Sequence, residues 1–209
     1  CWTEVTNAGG APRGLEYVSS FALTGIEKEG LRPFDDKLEL RIPHNSWQRE
    51  LHWNSCRLSD LGYSLAQPAD NIHSSKTVSI TNTGNWSAKE YLPMGYLRNT
   101  ETDSCLFWQI EHNGSWHWEI SDQNGHLYLQ LSGPTEAQSH WWKNLKPGET
   151  FVSVPVSVGV AAGSAETPCF DAAMGELTKY RRAIRRKNRD NETLAVIFND
   201  YMNCLWGQP

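Results

Sequence analysis

The sequence predicts a mainly β protein: an antiparallel β-sandwich, followed by a linker helix and the first strand of a truncated (β/α)8 barrel. Three observations carry this reading. Short alternating apolar segments, separated by Gly, Asn and Pro turns, fill the chain to about Val160. One amphipathic stretch at helical spacing follows, and a compact apolar run without a partner strand lies beyond it.

The clearest strands lie between Cys105 and Leu131. Leu106, Trp108 and Ile110 alternate with Phe107, Gln109 and Glu111; after His112-Asn113-Gly114-Ser115, the residues Trp116, Trp118 and Ile120 resume the alternation. Period two around Asn-Gly predicts a hairpin. A second Asn-Gly, at Asn124-Gly125, leads into Leu127, Leu129 and Leu131, so a three-stranded meander is expected. Its apolar face is core. Its other face presents Phe107, Gln109, Glu111, His117, Glu119, His126, Tyr128 and Gln130, suited to a second layer, a subunit contact in a homo-oligomer, or a sugar. Further strands are expected at Glu16 to Leu23, Lys37 to Ile42, Lys76 to Thr81 and Phe151 to Val160, the last marked as an edge or bulge by Pro155.

The texture changes after Ala161. Thr167-Pro168 suits a helix start, and Phe170, Met174, Leu177, Tyr180 and Ile184 form one apolar stripe of a helix ending near Lys187. Its last turns collect Arg181, Arg182, Arg185, Arg186, Lys187 and Arg189, which the helix dipole favours there, facing water. Leu194-Ala195-Val196-Ile197-Phe198 then reads as a strand buried on both faces, of the kind parallel barrels use. These features divide the chain into a sandwich domain (1–165), a linker helix (166–190) and the first strand and loop of an incomplete barrel (191–209).

Composition narrows the function. A net charge of -5 argues against a nucleic-acid binder, which needs a concentrated basic face. No apolar run is long enough to span a membrane. The five cysteines are scattered without metal-ligand spacing, which fits thiols in a reducing, cytoplasmic setting. Secretion stays open, because Asn85-Trp86-Ser87, Asn113-Gly114-Ser115 and Asn191-Glu192-Thr193 match the glycosylation pattern. His112, His117 and His126 lack the spacing of a metal site, and no phosphate loop, dinucleotide fingerprint or serine-hydrolase elbow occurs. No cofactor and no metal are therefore expected. Ten tryptophans suit both a core and the C–H face of a pyranose, with Trp47, Trp53, Trp141 and Trp142 in polar, turn-like stretches.

The segment Val196 to Gly207 is the most informative. If its apolar run is a first barrel strand, Asn199 onward lies on the face where such barrels place their active sites. Together with Leu15-Glu16-Tyr17-Val18-Ser19-Ser20-Phe21 and Ile110-Glu111-His112-Asn113-Gly114-Ser115-Trp116, it resembles the glycoside hydrolase family of microbial α-galactosidases and plant raffinose synthases. That resemblance implies an N-terminal β-supersandwich before a (β/α)8 barrel that removes terminal α-linked galactose with retention, through two aspartates. The family's nucleophile sits in Lys-x-Asp, a motif absent from this chain, so no catalytic residue is assigned and these 209 residues alone are expected to be inactive. Many members carry Asn-x-Trp where this chain has Asn199-Asp200-Tyr201. Asp200, Tyr201 and Trp206 are the expected substrate-binding residues for an α-galactoside oligosaccharide. The rival reading from the same residues is a self-standing carbohydrate-binding module.

Overall fold

The computed structural model describes residues 1–64, 76–123 and 126–199. Its strands are β1 (Glu4–Thr6), β2 (Arg13–Leu15), β3 (Ser19–Thr24), β4 (Leu38–His44), β5 (His52–Arg57), β6 (Thr77–Asn82) and β7 (Met94–Asn99). They continue as β8 (Ser104–Ile110), β9 (Trp116–Gln123), β10 (His126–Ser132), β11 (Lys143–Leu145), β12 (Thr150–Val152) and β13 (Val156–Ala162). A four-stranded sheet runs β3-β10-β9-β6 and a five-stranded sheet β13-β8-β7-β4-β5; β1 pairs with β12 and β2 with β11. Every pairing is antiparallel.

The two larger sheets share one core. Alternation sends Trp116, Trp118 and Ile120 of β9 and Leu127, Leu129 and Leu131 of β10 inward from one sheet. Leu40 and Ile42 of β4, Leu97 of β7, Trp108 and Ile110 of β8 and Val156 of β13 come inward from the other. Trp108 and Trp118 meet at the centre, their rings 5.2 Å apart and nearly perpendicular. The mainly β sandwich read from the sequence is therefore present.

Two local expectations are corrected. No hairpin forms at Asn113-Gly114: β8 pairs with β7 and β13, whereas β9 pairs with β10 and β6. Residues 111–115 instead carry the chain from one sheet to the other. Period-two alternation fixes which face a strand buries but not its neighbour, and both inner faces here are equally apolar. The pairing of β9 with β10 is as expected, with the turn at Asn124-Gly125 outside the described residues. The strand expected over Phe151 to Val160 is interrupted, β12 ending at Val152 and β13 starting at Val156. Pro155 has no N–H to give a ladder, and β13 is an edge strand, as a nearby proline implies.

The short helices α1 (Phe34–Lys37) and α2 (Glu136–Ser139) precede the long α3 (Cys169–Ile184) and α4 (Arg189–Thr193). The chain divides into two compact units, Cys1–Glu176 and Leu177–Pro209. Within the first, α3 begins directly after Pro168, as expected. Cys169 and Ala173 are buried, and Phe170 packs edge-on against Trp53 and Tyr96, each 5.1 Å away, under the Arg41 guanidinium. In the second unit the basic residues Arg181 to Arg189 named above face solvent. Asn188 caps α4 through its side chain, and Leu194 closes it. Residues 195–199 form no strand, and Val196, Ile197 and Phe198 are exposed. An apolar strand of this type needs neighbours on both sides, and none is present among the described residues. No helix among the described residues is long and apolar enough to cross a membrane.

Candidate functional site

Asp200, Tyr201 and Trp206 lie outside the described residues. Among those described, the outward side of the four-stranded sheet carries a connected polar constellation beside a groove. Its residues follow from register: Glu119 of β9 stands opposite Gln130 of β10 and Ser79 of β6, and His117 opposite Ser132 and Thr81. The polar face expected from alternation is thus half right. His117, Glu119, Tyr128 and Gln130 share it, but Phe107 and Gln109 belong to β8 in the other sheet, because the chain changes sheets after β8.

A hydrogen-bonded line crosses this face. Thr81 Oγ1 and His117 Nδ1 are 2.7 Å apart, His117 Nε2 and Glu119 Oε2 3.3 Å, and the Tyr128 hydroxyl donates to Glu119 Oε1 at 2.8 Å. His117 is buried, so both its ring nitrogens are held by protein partners. The hydrogen bond from His117 holds the Glu119 carboxyl below its ordinary range, against the opposing effect of burial, and the Tyr128 hydroxyl adds to it. Burial, with the Glu119 charge nearby, pushes the Tyr17 hydroxyl up to about 12. Tyr17 thus stays a neutral hydroxyl beside a fixed carboxylate.

These groups border a groove of about 300 Å³ lined by Tyr17, His117, Glu119, Gln130, Glu136 and Gln138. A ring wall, carboxylates and planar amides can hold a neutral, hydroxyl-rich ligand, the carboxylates accepting from hydroxyls and the ring covering a C–H patch. Sequence reading missed Tyr17, Thr81, Glu136 and Gln138 here, since they come from the segment before β3, from β6 and from α2, and their segments meet β9 and β10 only through the non-local pairings of β3 with β10 and β6 with β9. Of the tryptophans in polar stretches, Trp47 and Trp142 are exposed, while Trp141 packs on Phe151 at 5.2 Å.

Because the Glu119 carboxyl is held low in the folded protein, its contribution is present above the ordinary glutamate value of about 4.3 and is lost as pH falls through the folded value. Thermal stability of the wild type is therefore expected to fall more steeply on acidification than that of Glu119→Gln. Equal acid slopes in paired melting curves would refute this. No group of His, Cys, Asp and Glu arranged for a metal occurs among the described residues. Cys1, Cys56, Cys105 and Cys169 are free, and burial pushes the Cys105 thiol up to about 12, far from reactive.

No family model and no curated protein matches the chain. Solved structures do. The galactosidase domain of the α-galactosidase-sucrose kinase AgaSK is 18% identical with a TM-score of 0.58, over 76% of this chain and 19% of its own. The α-galactosidase AgaA from Geobacillus stearothermophilus, 16% identical, gives 0.59 over 79% and 20%. A variant of AgaA in complex with stachyose, 15% identical, gives 0.66 over 91% of this chain and 23% of that one. At this identity the likeness establishes the fold: the chain is built like part of a GH36 α-galactosidase. It spans about a fifth of the length of those chains.

Proposed function

We propose that this chain is the N-terminal, noncatalytic β-sandwich part of a retaining α-galactosidase-like glycoside hydrolase acting on terminal α-galactosides. The supporting observation is a likeness that extends over 91% of this chain yet only 23% of the stachyose-bound enzyme. The missing Lys-x-Asp agrees with it, since retention needs two carboxyl groups about 5 Å apart, one of them the nucleophile. The test is hydrolysis of an aryl α-galactoside by the purified 209-residue chain and by the complete reading frame. Turnover is expected only from the complete protein. Activity scaling with rigorously purified short chain, or an inactive complete protein, would overturn the reading.

Within this proposal Asp200, Tyr201 and Trp206 border the active-site mouth, the carboxylate accepting from sugar hydroxyls and the rings stacking. Losing one such contact costs about 1–3 kcal/mol, or about 5- to 150-fold in kcat/KM. Alanine variants of the complete protein that keep both normal melting and normal kcat/KM would remove these residues from the site. The groove bounded by Tyr17, Glu119 and Gln130 favours a second reading, a carbohydrate-binding module. Raffinose titration of the short chain decides it: saturable binding that Gln130→Ala abolishes supports a module, and its absence rejects one.

A further inference from the structure

We propose that the edge of β13 away from β8, which no strand among the described residues covers, takes up one further antiparallel strand, contributed by the polypeptide directly preceding Cys1, and that this strand closes an apolar cleft in the sandwich. The inference rests on the reading of this chain as part of a longer protein. Its physical basis is the backbone at Cys1. The Cys1 ammonium donates to the Val156 carbonyl at 2.6 Å, and the Val156 N–H donates to the Cys1 carbonyl at 2.9 Å. These reciprocal bonds are a hydrogen-bonded pair of an antiparallel ladder. The ladder lies on the side of β13 away from β8, because Val156 to Ala162 pair with β8 on the other side.

Extended backward from Cys1, the chain direction runs along β13 beside Ser157, Val158, Gly159 and Val160. In an antiparallel ladder alternate residues present N–H and C=O to the same edge, so Val158 and Val160 offer theirs where Val156 does. Ser157 and Gly159 direct theirs to Gln109 and Phe107 of β8. The side chains tell the same story. Val156 is buried, Val158 is half-buried against the core, and Val160 is 76% exposed. Val160 borders a cleft of about 550 Å³ lined by Leu23, Ile26, Leu38, Leu97 and Leu106. Leu23 and Val160 belong to β3 and β13, the edge strands of the two sheets. Apolar lining at an unpaired edge is what an added strand covers, its main chain completing the ladder and alternate side chains filling the gap.

Register makes the proposal specific. With Cys1 opposite Val156, the second and fourth residues before Cys1 stand opposite Val158 and Val160 and point into the cleft. They should be apolar. The first and third stand opposite Ser157 and Gly159 and point away.

The test compares the 209-residue chain with one extended through the natural reading frame by about ten residues, a long strand's worth. Amide exchange at Val158 and Val160 should slow by about 100-fold or more in the extended chain, while Ser157 and Gly159 change little. Val158→Pro should lower the Tm of the extended chain far more than that of the short one, since only there is the outward N–H used. Equal exchange at Val158 and Val160 in both chains would overturn the proposal. So would a reading frame that starts at Cys1, or charged residues at both inward positions. Concentration-dependent dimerisation of the short chain that protects the same amides would name a second copy as occupant, and also overturn it. Protection in a complete protein that lacks galactosidase activity supports the strand and rejects only the proposed function.

Discussion

Trp118→Ala is expected to lower the unfolding free energy by about 3–5 kcal/mol, the range for truncating a large buried ring. Trp118 is fully buried on β9, flanked across the ladder by Ile80 of β6 and Leu131 of β10, and it meets Trp108 of the opposite sheet. It therefore joins both layers. Neither indole N–H has a hydrogen-bond partner among the described residues, so the loss on truncation is one of packing rather than of a polar contact. Surrounding strands cannot collapse into the space, because their spacing is fixed by ladders on both sides of β9. Since small domains have a total of about 5–15 kcal/mol, the loss is a large fraction of the whole, and the unfolding midpoint should move to markedly lower denaturant. Urea unfolding measures it. Trp118→Phe, which keeps a ring against Trp108, should lose much less; a Trp118→Ala loss below about 1 kcal/mol would mean the two sheets do not depend on this contact.

The inward faces of β8, β9 and β10 were legible because strict alternation of large apolar residues has one physical solution, burial of one face. Which strands pair was not legible, as the crossing at residues 111–115 illustrates. Strand β7 was missed entirely. Met94, Gly95, Tyr96 and Leu97 are all buried, so the strand has two buried faces and no alternation to read. On α3 the long apolar residues were read, but the fully buried positions Cys169 and Ala173 carry small side chains, which contribute little to an apolar stripe. The polar groove was half legible for a related reason. Glu119 and Gln130 declare themselves by alternation within single strands, whereas Tyr17 and Glu136 reach the groove only through non-local pairing.

Gly95→Ala is expected to destabilise the fold by about 3 kcal/mol, the upper end for overpacking a core. The reason is steric. Gly95 of β7 stands directly opposite Trp108 of β8, and a Cβ at this position would sit 2.3 Å from Trp108 Cζ2 and 2.6 Å from Cε2. A glycine inside a buried strand weakens it through backbone entropy, so its presence marks a close approach that no side chain permits. At many sites a neighbour swings aside and the cost is small. Here the neighbour is a fully buried indole packed edge-on against Trp118, and a close-packed interior gives such a ring little room to move aside. A smaller ring should relieve the clash: Trp108→Phe is destabilising alone, yet combining it with Gly95→Ala should cost less than the sum of the two. The double-mutant cycle in urea measures that coupling, expected at about 1 kcal/mol or more. Strict additivity would show that the added methyl is accommodated by backbone movement of β7, and that Trp108 is not what requires a glycine there.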